Sequence, residues 1–167
     1  MTRRSLASAT AQICLCLTLG TLTSGQAAPP RQTPRILRPA LVAISVPKLE
    51  ESVAWYQKNL GFEVTERKEF PTPPLKVAFL QRDGFRMELV ELKDSFSIKR
   101  YAPDLDNPAM LQGIGKLAFA VDDLDALVTQ LTKNGVSLRF DFRKPQDKEK
   151  AVIVFDNAGN WIELMQQ

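Results

Sequence analysis

The chain contains no histidine, and its two cysteines, Cys14 and Cys16, both lie near the N-terminus. The absence of imidazole excludes histidine as a general acid, a general base or a metal ligand. If the N-terminal segment is cleaved, the remaining chain also lacks a disulfide, a thiolate ligand and a cysteine nucleophile. Any chemistry must therefore use carboxylates, amines, hydroxyls and aromatic rings.

The chain also carries little net charge. Its 167 residues contain 22 Lys and Arg against 19 Asp and Glu, a formal charge of +3. Cleavage of a leader that contains Arg3 and Arg4 would leave 20 basic against 19 acidic residues. Such a balance gives no long-range attraction to nucleic acid or to an acidic membrane, so we expect neither as a partner of the mature protein.

Residues 1–27 have the layout of a secretory signal peptide. Arg3 and Arg4 precede a short apolar run at 13–22, and small residues at 25 and 27 suit a cleavage site. The run is too short to span a bilayer, and the paired arginines resemble a weak twin-arginine signal. We expect Sec or Tat export to the periplasm or the medium; the alternative is an amphipathic or disordered tail. Residues 28–37 are Pro-rich and predict a disordered lead-in.

The rest of the chain, 38–167, predicts one domain made of two related modules at 38–93 and 115–167, joined by a connector at 94–114. Displacing the chain by 75 residues aligns identical residues in one ungapped register, and chance patterning is the alternative. The identical pairs are Ala43/Ala118, Val46/Val121, Leu49/Leu124, Val53/Val128, Lys58/Lys133, Asn59/Asn134, Val77/Val152, Glu88/Glu163 and Leu89/Leu164.

Each module predicts the order βαβββ, so the fold class is α+β. Alternating runs at 41–46 and 116–121 indicate strands, and apolar residues at helical spacing follow each of them. Asp122 or Asp123 can cap the second helix, and Gly61 and Gly135 suit the two helix ends. The further strands are predicted at 62–69, 75–82, 85–92, 136–142, 150–155 and 161–166, with a hairpin turn at Asp83-Gly84.

The two faces of the opening strands differ in size. One face carries Val, Ile, Leu and Phe, which suit packing against a helix. The other face carries Leu41, Ala43, Ser45, Lys116, Ala118 and Ala120. Small side chains leave room, so we interpret this second face as the lining of a cavity; a solvated surface is the alternative.

Glu88 and Glu163 occupy equivalent places in the two closing strands. Strand alternation puts Arg86 on the face of Glu88 and Trp161 on the face of Glu163, with apolar neighbours turned towards the helices. We therefore expect both carboxylates to face the hollow lined by Ala43 and Ala118, unless both lie on a solvated surface.

The tandem βαβββ order and the segment 46–62 (VPKLEESVAWYQKNLGF) resemble the vicinal oxygen chelate superfamily of glyoxalases, bleomycin resistance proteins and extradiol dioxygenases. The segment 155–164 (FDNAGNWIEL) is similar to the closing motif of this family, with Asn157 where Pro is usual. The resemblance implies a curved, half-barrel-like mixed sheet around a cleft, with helices on the outer face.

The resemblance also implies where a metal would bind in metal-dependent members. The four ligand positions fall on Leu41, Glu88, Lys116 and Glu163. Leucine cannot bind a metal, and a protonated lysine repels one, so we expect no metal cofactor. We expect the Lys116 ammonium to take the place of the metal cation and to lie near Glu88 and Glu163. These three groups would form either a structural ion cluster or a recognition or proton-transfer site.

The sequence therefore predicts an exported, metal-independent protein that binds a small organic molecule between its modules. The candidate ligand-binding residues are Leu41, Ala43, Arg86, Tyr101, Ala118 and Trp161, although aromatic residues in a domain of this size are commonly core. One alternative is a lyase, isomerase or dioxygenase-type enzyme with Glu88 or Glu163 as general base or partial metal ligand. Another is an inactive scaffold for a protein partner. The chain could be a monomer or a homodimer.

Overall fold

The computed structural model describes residues 39–107 and 110–167. The predicted leader at 1–27 and lead-in at 28–37 lie outside these residues. The described part contains two α-helices, a short 3-10 helix at Ile98–Arg100 in the connector and two open, four-stranded mixed sheets, which confirms the α+β class. No helix in the described ranges is long and apolar enough to cross a membrane.

The first module follows the predicted order. It contains β1 (Val42–Ser45), α1 (Leu49–Leu60), β2 (Glu63–Pro71), β3 (Pro74–Arg82) and β4 (Phe85–Leu92). Its sheet has the strand order β1-β4-β3-β2, with β1 parallel to β4 and the other pairs antiparallel. The short strand β1 therefore forms one edge of the sheet.

The second module has the same strand order. It contains β5 (Leu117–Val121), α2 (Leu124–Lys133), β6 (Leu138–Asp141), β7 (Ala151–Phe155) and β8 (Trp161–Gln166). Its sheet is ordered β5-β8-β7-β6, so β5 corresponds to β1 as an edge strand. Strand boundaries agree with the sequence prediction within two residues, and β6 is shorter than predicted at both ends.

Glycine and aspartate residues terminate the elements where the sequence predicts. Asp83 and Gly84 both have positive φ, 47° and 80°, which is the geometry of a tight two-residue hairpin. Gly61 ends α1 in the left-handed region at φ 64°, and the Arg82 guanidinium donates to the Leu60 carbonyl beside it. The Asp123 carboxylate accepts from the Ala126 N–H at 2.9 Å and caps α2.

A second pair of caps occupies equivalent positions in the two modules. Glu91 at the end of β4 accepts from the Leu49 N–H at 2.6 Å, and Gln166 at the end of β8 accepts from the Leu124 N–H at 2.9 Å. Each contact satisfies a backbone donor that the first helical turn leaves unpaired. The closing strand therefore fixes the start of the helix that packs on its own sheet.

The two modules share one hydrophobic core. Buried side chains of α1, α2 and both sheets belong to a single cluster, and Phe62 contacts Phe119 of the other module with ring centroids 5.9 Å apart. Polar contacts cross the same boundary: Asn134 Nδ2 donates to Asn59 Oδ1 at 3.0 Å, and the buried Tyr56 hydroxyl donates to Asp156 at 2.9 Å. These contacts between the modules determine how the edge strands β1 and β5 lie relative to each other.

Candidate functional site

A cleft of about 710 Å³ lies between the edge strand β1 and the start of β5. The connector covers part of it, and the turn between β7 and β8 forms another wall. Its volume is in the range of sites that bind small molecules. The lining residues are Val42, Ala43, Ile44, Ser45, Ser97, Ile98, Lys99, Leu105, Asp106, Leu111, Ile114, Gly115, Lys116, Leu117, Arg139, Phe155, Ala158, Gly159, Asn160 and Trp161.

An ion pair stands at the second-module side of this cleft. The Lys116 ammonium lies 2.6 Å from a Glu163 carboxylate oxygen, with 46% of the lysine and 14% of the glutamate side chain exposed. Glu163 is opposite Ala118 in the β5–β8 register, so the small residue leaves space beside it. The structure therefore brings together two of the three residues that we expected around a common hollow.

Glu88 does not take part in this ion pair. It is half-buried and opposite Ala43 and Phe79 in register. Among residues 39–107 and 110–167 it forms no hydrogen bond or ion pair, and it is not a cleft-lining residue. Arg86, from the same strand, lies over the Phe79 ring at 5.7 Å, and Lys68 lies over the same ring at 5.1 Å.

The remaining candidates divide between the cleft and the surface. Ala43 and Trp161 line the cleft, whereas Leu41, Arg86, Tyr101 and Ala118 do not belong to its described lining. Leu41 is 39% exposed, and Tyr101 is 65% exposed with its ring against Phe96 at 5.2 Å. Tyr101 therefore lies on the outside of the connector, although the connector itself forms a wall of the cleft.

The second module presents a group of four aromatic rings, of which the sequence analysis identified only Trp161. The Trp161 ring lies 5.4 Å from Phe155 and 5.7 Å from Phe140, measured between centroids. Phe142 stacks on Phe140 at 6.0 Å with an interplanar angle of 18°. We call these four rings the aromatic group. The alternation Phe140, Asp141, Phe142 was the available signal, because alternate residues of a strand share a face.

The connector is held by a lysine. Lys99 Nζ donates to the Pro103 carbonyl at 3.1 Å and also to the Leu105 carbonyl, which closes residues 99–105 into a loop. Asp106 follows this loop and lies 4.0 Å from the Arg139 guanidinium on β6. The connector therefore has polar contacts both within itself and with the second module.

The turn that carries Trp161 is organised around the buried carboxylate of Asp156. This carboxylate accepts from the backbone N–H groups of Ala158 and Asn160, from the Asn160 side chain and from the Tyr56 hydroxyl. Burial, followed by the charge and hydrogen bond of Asp156, raises the pKa of Tyr56 far above its ordinary value. The Tyr56 hydroxyl of the first module thus stabilises the turn between β7 and β8, which is a cleft wall in the second module.

The four positions that bind a metal in metal-dependent relatives do not form a suitable donor set here. Leu41 has no donor atom, and the Lys116 ammonium is already paired with Glu163 at 2.6 Å. In the described part of the chain, no group of three or more Asp, Glu, His or Cys side chains is placed to hold an ion. These residues do not fit a Zn²⁺ or Fe²⁺ ion, which needs at least three good protein ligands.

The fold and the cleft define a class: two βαβββ modules that share one core, with a cleft between their edge strands. The family model of the Glyoxalase/Bleomycin resistance protein/Dioxygenase superfamily matches residues 38–164, and the chain belongs to this family. No curated protein matches the chain.

Solved structures of this family share the fold at low sequence identity. A glyoxalase family protein from Bacillus cereus has a TM-score of 0.66 and 19% identity, covering 81% of this chain and 97% of that one. A genomically encoded fosfomycin resistance protein from Listeria monocytogenes has a TM-score of 0.60, with 16% identity and coverage of 78% and 93%. The trypanothione-dependent glyoxalase I of Leishmania major has a TM-score of 0.60, with 22% identity and coverage of 78% and 87%.

Proposed function

We propose that this protein binds a small organic molecule in the cleft between its modules and does so without a metal ion. The observation that supports this most is the lining itself, in which apolar side chains from both modules and the connector surround a few polar groups. That combination is typical of small-molecule sites. The polar groups would fix the orientation of a ligand, and burial of its apolar part would supply most of the affinity.

Lys116 has a positioning role in this proposal. Lys116 and its partner Glu163 occupy two of the four positions that the family resemblance implies for metal ligands. A fixed positive charge there can attract a polar or anionic group of the ligand without a Lewis acid. Only 14% of the Glu163 side chain is exposed, and Lys116 balances the negative charge of its carboxylate.

A second candidate is an enzyme of the lyase, isomerase or dioxygenase type. The observation that favours it is the half-buried Glu88 carboxylate, which has no hydrogen-bonding or ionic partner in the described ranges. An uncompensated carboxylate beside Phe79 and Ala43 could accept a proton from a substrate. An inactive scaffold is the third candidate, and an empty cleft would favour it.

We also propose that the protein is exported, because Arg3, Arg4 and the apolar run at 13–22 have the layout of a cleaved leader. The ligand would then be met in the periplasm or the medium. Mass spectrometry of the mature N-terminus tests this separately from ligand binding: a first residue near Ala28 supports export, and an intact Met1 contradicts it.

The binding proposal is tested on protein purified without chelators. Elemental analysis and native mass spectrometry together measure metal and any co-purified small molecule. We expect less than a tenth of an equivalent of divalent metal and saturable binding of apolar dyes to the wild type, weakened in a Trp161→Leu variant. Trp55→Phe is the matched control, because Trp55 lies on α1 and does not line this cleft. Stoichiometric metal would favour the enzyme, and no dye binding would overturn the proposal.

A further inference from the structure

The charges and rings around the cleft permit an inference about its ligand, which rests on the proposed function. We infer that the cleft selects a planar aromatic anion, with the ring against Trp161 and Phe155 and the negative charge towards the cations of the connector and β6.

The first support is the charge balance of the cleft. Its lining carries three cations, Lys99, Lys116 and Arg139, against the carboxylate of Asp106. Lys116 is paired with Glu163 and Arg139 lies near Asp106, so these two cations are balanced. Lys99 is not balanced in this way, because its two contacts are neutral backbone carbonyls and no carboxylate of a described residue lies within 4 Å of it. The cleft therefore carries one excess positive charge.

The second support is the shape of the apolar wall. Trp161 and Phe155 form an edge-to-face pair in the lining, and the small residues Ala43, Ala158 and Gly159 line the same cleft. A flat ring can enter such a space and make offset or edge-on contacts with the exposed faces of aromatic side chains. An aliphatic ligand of equal volume would lose this part of the interaction.

A second cleft in the same protein provides an internal comparison. It has a volume of about 500 Å³, and three phenylalanine rings line it. Its charged groups are Arg82 and the three carboxylates of Asp83, Asp122 and Asp123, so its charge is of the opposite sign. Both clefts would accept an apolar ring, but only the first would favour a ring with a negative charge.

The experiment compares two dyes that differ by one sulfonate group: 8-anilino-1-naphthalenesulfonate, an anion, and N-phenyl-1-naphthylamine, which is neutral. Dissociation constants are measured by fluorescence for the full chain at low ionic strength. Asp106→Asn raises the charge of the cleft and Lys99→Gln lowers it. Lys148→Gln is the matched control, because Lys148 is exposed on a loop that does not line either cleft.

Because Lys99 and Asp106 also hold the connector, the measured quantity is the preference for the anionic over the neutral dye, given by the ratio of their dissociation constants. We expect Asp106→Asn to raise this preference about threefold and Lys99→Gln to lower it about threefold, with the control unchanged. Screening by 0.5 M NaCl should remove most of both effects. Opposite responses in two variants cannot come from a general loss of folding. Equal responses of both dyes, or no response of the anionic dye, would overturn the inference and leave the proposed function intact. Failure of both dyes to bind would overturn both.

Discussion

Tyr56→Phe removes one hydroxyl from the contact that joins α1 to the cleft wall. The hydroxyl is buried and donates to Asp156 at 2.9 Å, and Asp156 in turn holds the turn that precedes Trp161. The variant keeps the ring, which packs against Phe62 at 5.8 Å. The change therefore tests the polar contact between the modules without creating a large cavity.

The expected cost follows from the partners that Asp156 retains. A hydrogen bond to a charged group contributes about 1.5–3 kcal/mol. Asp156 keeps the N–H groups of Ala158 and Asn160 and the Asn160 side chain, so we expect the lower part of that range, about 1.5–2 kcal/mol. For a folded unit of this size, that corresponds to a decrease of about 5–7 °C in Tm.

The pH dependence separates this contact from simple packing. The pKa of Tyr56 is raised in the folded state, so its stabilising contribution is complete below the unfolded pKa near 10 and is lost as the pH rises above it. At pH 11 the unfolded wild type gains about 1.4 kcal/mol from ionisation of this tyrosine, and the variant does not. The free energy of unfolding of the wild type should therefore exceed that of Tyr56→Phe by about 1.4 kcal/mol less at pH 11 than at pH 8.

Urea unfolding at pH 8 and pH 11 measures these differences directly. Tyr101→Phe is the matched control, because its ring is 65% exposed and its hydroxyl has no partner in the described ranges. We expect the control to change the free energy of unfolding by less than about 0.5 kcal/mol at pH 8. A Tyr56→Phe difference that is below that value, or that does not change with pH, would refute the reasoning.

Three further predictions concern the ion pair and the helix ends. Lys116→Met should cost about 1–3 kcal/mol, because it leaves the Glu163 carboxylate, which is only 14% exposed, without its partner, and it should weaken binding of the anionic dye. Gly61→Ala should cost about 1–2 kcal/mol in chemical unfolding, because φ is 64° and the new Cβ would lie 3.0 Å from Arg82. Asp123→Ala should cost about 1 kcal/mol by removing the cap of α2.

Each of these predictions has a result that contradicts it. An unchanged dissociation constant in Lys116→Met would remove this residue from ligand recognition. An unchanged free energy of unfolding in Gly61→Ala would mean that the end of α1 tolerates a side chain. Gly115→Ala is the control for this variant, because nothing lies within 4 Å of the Cβ that it would add. Thr129→Ala is the control for the cap, since Thr129 lies inside α2 and bonds only the Asp125 carbonyl.

The elements of this fold could be predicted because their signals are local. Apolar residues at helical spacing, the Asp83-Gly84 turn and Gly61 all act on neighbouring residues, and the structure places each strand within two residues of its predicted span. The repeated residues also predicted that Glu88 and Glu163 share a register position beside Ala43 and Ala118.

The composition of the cleft could not be predicted in the same way. Its position depends on how the modules pack, which is determined by long-range contacts such as Tyr56 with Asp156 and Phe62 with Phe119. No local pattern identifies these pairs. Lys99 and Asp106 were also missed, because they belong to a connector whose path depends on its own hydrogen bonds and on Arg139.

The most direct test of the central claim is an NMR titration of the ¹⁵N-labelled full chain with 8-anilino-1-naphthalenesulfonate. The chain has two tryptophans, so the indole N–H signals report on Trp161 in the cleft and on Trp55 outside it. We predict saturable shifts of the Trp161 indole and of the backbone signals of Ser45, Lys99 and Gly115, with the Trp55 indole unchanged. Shifts confined to Trp55 and its neighbours, or to the second cleft around Phe85 and Asp122, would contradict the account.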